Sequence, residues 1–322
     1  FIGGGTPSLF SGDAIASLLE GISTRIDCAA NLEVTMEANP GSSELRKFSA
    51  FRSAGVNRIS IGVQSFTSKH LQALGRVHSA KEALKAAAAA SQAGFKRINL
   101  DIMYALSGQT VGEASRDVEQ AVAINPEHLS CYQLTIEPNT QFHAQPPKLP
   151  DEELGWEIQQ TVHQLLSSAD YQQYEVSAWA TAGAECRHNL NYWRFGDYLG
   201  IGAGAHGKVS RLDGSIERYW KQKHPNKYLQ SSQSNARFGG RAGIIGQKQL
   251  GFEFLLNALR LKQGFEIELF EQRTGLKIES LAPTLSKQFE KGWLIESGST
   301  IKCSEIGYRF LDDLLTEYLP PP

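Results

Sequence analysis

Short apolar stretches alternate with amphipathic patterns over the first 137 residues. The apolar stretches are rich in β-branched residues and predict strands, and the segments between them have apolar residues at helical spacing. Strands are predicted in NLEVTMEANP, VNRISIGVQSF, FKRINLDIMYAL and EHLSCYQLTIEP, and helices in SELRKFSAFRSAG, SAKEALKAAAAASQAG and TVGEASRDVEQAVAI. Helical crossovers of this length join parallel strands. The pattern therefore predicts a parallel α/β sheet, either open or curled into a barrel.

Polar and glycine residues set the expected boundaries of these elements. The first strand is predicted from about Leu32 to Glu37, where Asn-Pro stops it. Ser43 and Gly55 are the expected cap and stop of the helix that follows, and Ser79 and Gly94 those of the alanine-rich helix.

The pattern changes after Glu137, where a proline-rich connector leads to a helix over about Asp151 to Ala169 and a strand in YQQYEVSAWA. Little periodicity is visible from Gly183 to Arg218, and amphipathic helices return from about residue 240 and close on a hairpin and a last helix. These changes predict a barrel-like domain over 1–180, a connecting segment over 181–239 and a small winged-helix-like domain over 240–322.

Composition narrows the class of protein. The chain has 322 residues, 41% of them hydrophobic, and a formal net charge of −2, so no basic excess favours nucleic acid. No apolar run approaches the roughly 18 residues that span a bilayer, and no signal peptide is visible. We expect a cytoplasmic protein that is not integral to a membrane, with any membrane association made through its partners.

The four cysteines do not have the spacing of a metal site. Cys28, Cys131, Cys186 and Cys303 are far apart along the chain, which fits small core residues in a reducing compartment. Cys186 is the least certain of these, because it borders the segment of little periodicity.

Polar residues fall at the ends of the predicted strands, where parallel α/β folds bind ligands. A Gly3–Thr6 turn follows an apolar start, and Glu37, Gln64 and Asp101 lie at the ends of or within the next three strands. A glycine turn offers backbone groups to a small zwitterion, and carboxylates bind hydroxyl or ammonium groups. Each residue alone has an ordinary alternative, as a simple turn or a helix cap, and the repetition at successive strands favours a site.

Six motifs together resemble one known family. GGGTPS, MEANP, RISIGVQSF, LGRVHSAKEA, INLDIMYALSGQT and YEVSAWA are similar to the radical S-adenosylmethionine proteins related to oxygen-independent coproporphyrinogen III oxidase, over almost the whole chain. RHNLNYW resembles the HNxxYW signature of the haem-chaperone subgroup of that family. The resemblance implies a partial (β/α) barrel with a small, mainly helical, winged-helix-like C-terminal domain.

The resemblance also implies roles for particular residues. Gly4, Gly5 and Thr6 match the motif that holds the methionine end of S-adenosylmethionine. The nucleoside and a second S-adenosylmethionine position are lined in relatives by residues matching Glu37, Gln64, Arg76 and Asp101. His206, in LGIGAGAHG, matches a position that borders the cofactor, and its alternative is a loop histidine with a structural hydrogen bond.

The family's cluster loop is expected before the first residue of this sequence. Members carry a CxxxCxxC loop for a 4Fe–4S cluster just before the glycine turn, and none of the four cysteines replaces it by spacing. The resemblance thus implies a partial sequence, with the cluster present only in the intact protein. Relatives read GLPGQT where this chain has ALSGQT, from Ala105 to Thr110, which changes the backbone preference of that turn.

The RHNLNYW segment has two interpretations. His188, Asn189, Tyr192 and Trp193 offer an imidazole and flat apolar surface, which suit haem. The alternative is a buried aromatic cluster with a structural role. Residues four apart share a face on a helix, so a helical turn would bring Tyr192 onto His188, but a loop could do the same.

Three functions remain open from the sequence. The resemblance favours a haem chaperone that binds S-adenosylmethionine and haem and delivers haem to respiratory proteins. The second is a coproporphyrinogen III oxidase, which would use a radical to convert propionates to vinyl groups. The third is a structural or regulatory protein that lacks the cluster. The sequence does not tell whether the protein is an enzyme, nor its oligomeric state.

Overall fold

The computed structural model describes residues 1–233 and 241–319. The chain divides into two compact units, Phe1–Cys186 and Arg187–Pro322. The domain boundary expected at residue 180 stays a prediction, and the one expected between residues 239 and 240 lies outside the described residues.

A six-stranded mixed sheet forms the centre of the first unit. Its order is β1-β2-β3-β4-β6-β5, and the first four strands are parallel, as predicted. β6 runs antiparallel to both of its neighbours. The strands are β1 (Thr35–Ala38), β2 (Arg58–Gln64), β3 (Arg97–Tyr104), β4 (His128–Gln133), β5 (Gln172–Glu175) and β6 (Ala178–Ala180).

Helices connect the strands and share one apolar core with them. The helices of this unit are α1 (Gly12–Ser23), α2 (Ser42–Leu45), α3 (Phe48–Ser53), α4 (Ser68–Ala73), α5 (Ala80–Gln92), α6 (Val111–Ala123), α7 (Gln141–Ala144) and α8 (Glu152–Ser168). Alternate residues of the strands, such as Ile59, Leu100 and Leu129, pack against buried faces of α5, α6 and α8. The expected start and stop of α5 are confirmed, because Ser79 forms a capping box and Gly94 has a φ of +87°.

Two predicted elements of this unit differ in the structure. The helix expected from Ser43 begins at Ser42 with Gly41 as its cap, and it is divided into α2 and α3. Glu44 and Lys47, close to the division, make tertiary hydrogen bonds to Ser8 and Leu9 that outweigh local helix propensity. The single strand expected in YQQYEVSAWA is the pair β5 and β6, because the chain reverses between Glu175 and Ala178.

The second unit contains two three-stranded antiparallel sheets, ordered β7-β8-β9 and β10-β12-β11, with helices between and around them. The hairpin expected at the C-terminus is confirmed as β11 and β12, and the single last helix expected after it is divided into α14 and α15. Its elements are α9 (Arg187–Trp193), β7 (His206–Ser210), β8 (Ile216–Trp220), α10 (Pro225–Gln233), β9 (Arg241–Ile244), α11 (Gln247–Ala258), β10 (Phe265–Glu266), α12 (Ile267–Thr274), α13 (Ala282–Glu290), β11 (Leu294–Ser297), β12 (Thr300–Cys303), α14 (Glu305–Arg309) and α15 (Leu311–Thr316).

The segment of little periodicity contains regular structure. α9, β7 and β8 lie within it, and the turn between the two strands carries Gly214 at a φ of +81°. Asp213-Gly214 is a hairpin signal, so this hairpin could have been predicted. Within the described residues, no helix is both long and apolar enough to cross a bilayer.

Candidate functional site

A row of polar side chains crosses the sheet of the first unit. Side chains alternate between the two faces of a strand, and the face opposite the α5–α6–α8 core is polar in β1 to β4. The register places Glu37 beside Ser60, Ser60 beside Asn99, and Asp101 beside Ser130. Glu37 and Asp101, which the sequence suggested as members of one site, therefore lie on one face of one sheet.

Asp101 is held by three polar side chains. Its carboxylate accepts hydrogen bonds from Asn99 Nδ2 at 2.8 Å and Ser60 Oγ at 3.2 Å. Burial raises the pKa of Asp101, and the nearby Glu37 charge raises it further, while hydrogen bonds from Asn99, Ser130 and Ser60 oppose the rise. A carboxyl with a raised pKa on a polar face is typical of a binding or catalytic site.

Behind Asp101 the polar row continues into the buried His128. Its Nδ1 lies 2.6 Å from Asn99 Oδ1, and its Nε2 lies 2.9 Å from the hydroxyl of Tyr174. Burial lowers the pKa of His128 well below its usual value, and Arg58 and Arg97 lower it further, so the ring is neutral. Asn99 and His128 were missed from the sequence, although polar residues that alternate with apolar ones in β3 and β4 were the available signal.

The glycine turn lies at the edge of this sheet. Ile2 pairs with Met36 in a parallel bridge, and the chain then turns through Gly4 and Gly5, which have φ values of +82° and +62°. Gly4 N donates to Glu37 Oε2 at 3.1 Å. Thr6 follows and precedes a short 3₁₀ turn, so Gly4, Gly5, Thr6 and Glu37 form one group.

Two charged residues after β1 hold the chain that follows this turn. The buried Glu44 accepts from Asn39 N at 2.8 Å and from Ser8 Oγ. Lys47 Nζ donates to the carbonyl oxygens of residues 8, 9 and 10, at 2.7 Å for Leu9. The contacts of Glu44 with Ser8 and of Lys47 with residues 8, 9 and 10 were missed because they join residues more than 35 positions apart.

Gln64 and Arg76 lie near Asp101 through Tyr132. The Tyr132 hydroxyl donates to Gln64 Oε1 at 2.7 Å. Burial and the Asp101 charge raise the pKa of Tyr132, and the Arg76 charge acts against this rise. Arg76 is exposed. The first unit therefore brings Gln64, Arg76 and Asp101 into one electrostatic group around Tyr132. The sequence suggested the three residues as members of one site and did not suggest Tyr132.

Gln64 has a strained backbone, and a glycine there should relieve the strain. Its φ is +68°, and left-handed backbone costs a non-glycine residue about 1–2 kcal/mol. Gln64→Gly should therefore be more stable than Gln64→Ala by about 0.5–1 kcal/mol after the entropy of glycine is subtracted. Urea denaturation of both variants measures the difference. At Val63, which has ordinary strand backbone, the alanine variant should be more stable than the glycine variant. If the alanine variant is the more stable one at both Val63 and Gln64, the prediction is contradicted.

The RHNLNYW segment of the second unit forms the helix α9 and not a loop, the two possibilities that the sequence left open. The rings of His188 and Tyr192 pack edge to face with their centroids 4.7 Å apart, and the ring centroids of Tyr192 and Tyr198 are 4.4 Å apart. His188, Asn189, Tyr192 and Trp193 are all half-buried. The Arg260 guanidinium covers the Trp193 ring at 4.4 Å. His188 and Tyr192 thus form a ring pair, while Trp193 packs within the unit.

The end of α9 is fixed by the core and by an ion pair. Phe195 has a φ of +54° and packs on Phe254, with centroids 5.7 Å apart. Lys208 is only 1% exposed, and its Nζ donates to Asp197 Oδ1 at 2.9 Å. Asn191 Nδ2 donates to the Asp197 carbonyl at 2.9 Å, so α9 and β7 are joined through Asp197.

His206 lies in the second unit, at the start of β7. Its ring is exposed and stacks on Trp220. The structure brings the predicted site residues into two groups, one around Glu37 and Asp101 and one on α9, and His206 belongs to the second unit.

The four cysteines do not form a metal site. In the ranges 1–233 and 241–319, no three His, Cys, Asp or Glu side chains gather so that they could hold a metal ion. Burial raises the pKa of Cys131 and of Cys303 to about 12, so these two are neutral thiols. The residues described here do not fit a 4Fe–4S cluster, which needs converging thiolates.

Comparisons with known proteins agree with this fold and these motifs. Residues 1–121 match the model of the radical SAM superfamily, and residues 245–310 match that of the HemN C-terminal domain. The heme chaperone HemW of Escherichia coli (strain K12) is 48% identical over 99% of this chain and 83% of its own length. The heme chaperone HemW of Haemophilus influenzae is 46% identical over 99% of this chain and 82% of its own length.

A solved structure shows the same fold. Coproporphyrinogen III oxidase (HemN) from Escherichia coli superposes with a TM-score of 0.80 at 19% identity, over 98% of this chain and 76% of its own. The expected radical SAM type of α/β fold with a C-terminal domain is therefore confirmed.

Proposed function

Because the chain belongs to the heme chaperone HemW family of radical SAM proteins, we propose that it binds haem and passes it to proteins that require haem. The observation that carries this proposal is the identity of 48% to a heme chaperone over nearly the whole chain. We propose haem proteins of the respiratory chain as acceptors, and the cytoplasm as the location.

The ring pair of α9 supports haem as the ligand. A neutral imidazole can ligate iron, and aromatic rings pack on the tetrapyrrole. His188 and Tyr192 share a face of α9 and remain partly accessible, so we propose His188 as a ligand of the haem iron. Asn189, Tyr192 and Trp193 shape and hold the surface around it.

The polar face of the first unit supports S-adenosylmethionine as a second ligand. Gly4 and Gly5 have a left-handed backbone that residues with a side chain rarely adopt. A Cβ atom built on either glycine has no atom within 4 Å, so there is open space beside the turn for an amino-acid moiety. Glu37 and Asp101 offer carboxylates for ammonium or ribose hydroxyl groups, and Arg76 offers a guanidinium for a carboxylate. Gly4, Gly5, Thr6, Glu37, Gln64, Arg76 and Asp101 are thus the proposed binding residues. S-adenosylmethionine, when bound with a reduced cluster, supplies a deoxyadenosyl radical in this superfamily.

The main test measures haem binding and haem transfer, and separately measures turnover of coproporphyrinogen III. Haem added anaerobically should bind with a shifted Soret band and then move to a haem-free respiratory acceptor, followed by absorbance. Conversion of coproporphyrinogen III in the presence of S-adenosylmethionine and a reductant would favour the oxidase instead. Absence of haem binding would overturn the proposal.

Replacing Glu37 should weaken S-adenosylmethionine binding. Glu37→Ala removes a carboxylate and the acceptor that holds Gly4 N, and a hydrogen bond to a charged group contributes roughly 1.5–3 kcal/mol. Calorimetry should therefore show an affinity about tenfold or more lower. Glu37→Gln, which keeps the acceptor for Gly4 and loses the charge, separates the two contributions. Glu119→Ala, on the exposed face of α6, is the control, and equal affinities of wild type and Glu37→Ala would remove Glu37 from the site.

A further inference from the structure

An exposed aromatic pair ends the β7–β8 hairpin of the second unit. His206 and Trp220 lie directly opposite each other in the two strands, and their rings are nearly parallel, at 25° with centroids 6.4 Å apart. Trp220 is 37% exposed. The loop that leads into β7 exposes two more apolar side chains, with Leu199 63% and Ile201 64% accessible. The stacked rings of His206 and Trp220 offer a flat, partly apolar surface to a ligand.

The loop that carries Leu199 and Ile201 is firmly held. Gly200 N donates to the Tyr219 hydroxyl at 2.9 Å, and Gly202 N donates to the Tyr228 hydroxyl at 3.1 Å. Gly204 N donates to the Gln222 carbonyl at 2.9 Å. The loop before His206 is therefore fixed against β8 and the residues that follow it.

Exposed lysines follow Trp220 along the chain. The segment RYWKQKHPNK, residues 218–227, contains four Lys or Arg residues and no acid, and of these Arg218 is paired with Glu253 at 2.7 Å. Lys223 and Lys227 are exposed, and the backbone of Lys223 packs on Gly204, with 3.7 Å between its Cα and a Cβ built there. An occupant of this surface should be flat and apolar and should carry negative charge at one edge.

The surface is continuous with the ring row of α9. Tyr198 pairs with Lys208 in an antiparallel bridge, and His206 is two residues from Lys208 along β7. Paired residues and residues two apart point to the same face of a sheet, so Tyr198 and His206 are neighbours on one face. The rings of His188, Tyr192 and Tyr198 contact one another in turn and lead from α9 to this face.

We propose that the surface formed by His206, Trp220, Lys223 and Lys227 binds haem. His206 supplies a nitrogen to the iron, Trp220 contacts the ring, and Lys223 and Lys227 pair with the propionates. The assignment rests on the proposed haem-binding function and adds to it a site beyond α9.

Haem titrations of matched variants test this site. His206→Ala should shift the Soret band and raise the dissociation constant at least about tenfold, since loss of even a supporting contact lowers metal affinity 10–100-fold. Lys223→Glu/Lys227→Glu should weaken haem binding at low salt and leave binding of iron protoporphyrin IX dimethyl ester unchanged, because the ester has no propionate charge. The controls are His143→Ala and Lys81→Glu/Lys85→Glu, at exposed positions of the first unit. Circular dichroism verifies that each variant is folded.

The outcomes separate the site from the function. If the wild-type protein binds no haem, the proposed function fails and the site with it. If it binds haem and the His206 and lysine variants keep its affinity and spectrum, the function stands and this surface is not the site. Unchanged haem binding with impaired transfer would assign the surface to the acceptor protein, which also overturns the proposal.

Discussion

Replacing Asp197 by alanine is expected to lower the free energy of unfolding by about 2 kcal/mol. Its carboxylate accepts hydrogen bonds from the buried Lys208 ammonium and from Ser210 N and Oγ. Hydrogen bonds to charged groups contribute roughly 1.5–3 kcal/mol each, and the figure is reduced because the Asp197 side chain is 39% exposed. Urea denaturation followed by tryptophan fluorescence measures the loss.

The loss should depend on pH in a definite direction. Burial lowers the pKa of Lys208 below its usual 10.5, and the bond to Asp197 opposes this. At pH values between the pKa of Lys208 in the folded protein and its pKa in the unfolded chain, the unfolded chain binds more protons, so stability rises with pH. Without Asp197 the pKa of Lys208 in the folded protein falls further, and this pH range extends to lower pH. The cost of Asp197→Ala should thus be smaller at pH 10 than at pH 7.

Two further variants identify the buried ammonium as the cause. Asp197→Ala/Lys208→Met removes the unpaired charge and should recover part of the lost stability, because a buried pair can be replaced by apolar residues at little cost. Asp213→Ala, an exposed aspartate in the β7–β8 turn, should show no change of effect between pH 7 and 10. A cost of Asp197→Ala that is equal at both pH values would argue against a charged Lys208 as the source.

The parts of the fold that follow from local sequence were predicted. The parallel strands carry runs of β-branched residues, and α5 has both a capping serine and a terminal glycine, so the signals agree at each level. The division between α2 and α3 was not predictable, because Glu44 binds Ser8 and Lys47 binds Leu9, both far away in sequence. The β5–β6 reversal lacks the glycine or asparagine that marks a tight hairpin turn.

The residues of the candidate site could be predicted from the sequence, but the contacts that hold them in place could not. The residues at strand ends lie on one face because parallel strands impose it. The left-handed backbone of Gln64 and the contact from Tyr132 follow from a register shift between β2 and β3, which no local pattern marks. Likewise α9 ends at a left-handed Phe195 that is retained through packing on the distant Phe254.

His188→Phe is expected to remove an iron ligand without unfolding the protein. Phenylalanine keeps an aromatic ring against Tyr192, so the edge-to-face contact, which contributes about 0.5–1.5 kcal/mol, is largely preserved. It has no nitrogen lone pair, and the Soret band of bound haem should therefore change. Absorbance spectra and thermal melts of the same samples measure both quantities.

His188→Ala completes the argument by removing the ring as well. If His188 ligates iron, both variants change the haem spectrum and slow transfer to an acceptor, and His188→Ala is less stable than His188→Phe by about 1 kcal/mol, the contribution of the ring contact. If the histidine only packs on Tyr192, the alanine variant is destabilised while bound haem keeps its spectrum in both. An unchanged spectrum and unchanged transfer in the folded His188→Phe protein would therefore exclude His188 as a ligand of the haem iron. His206, beside Trp220 in the β7–β8 hairpin, would then be the candidate ligand.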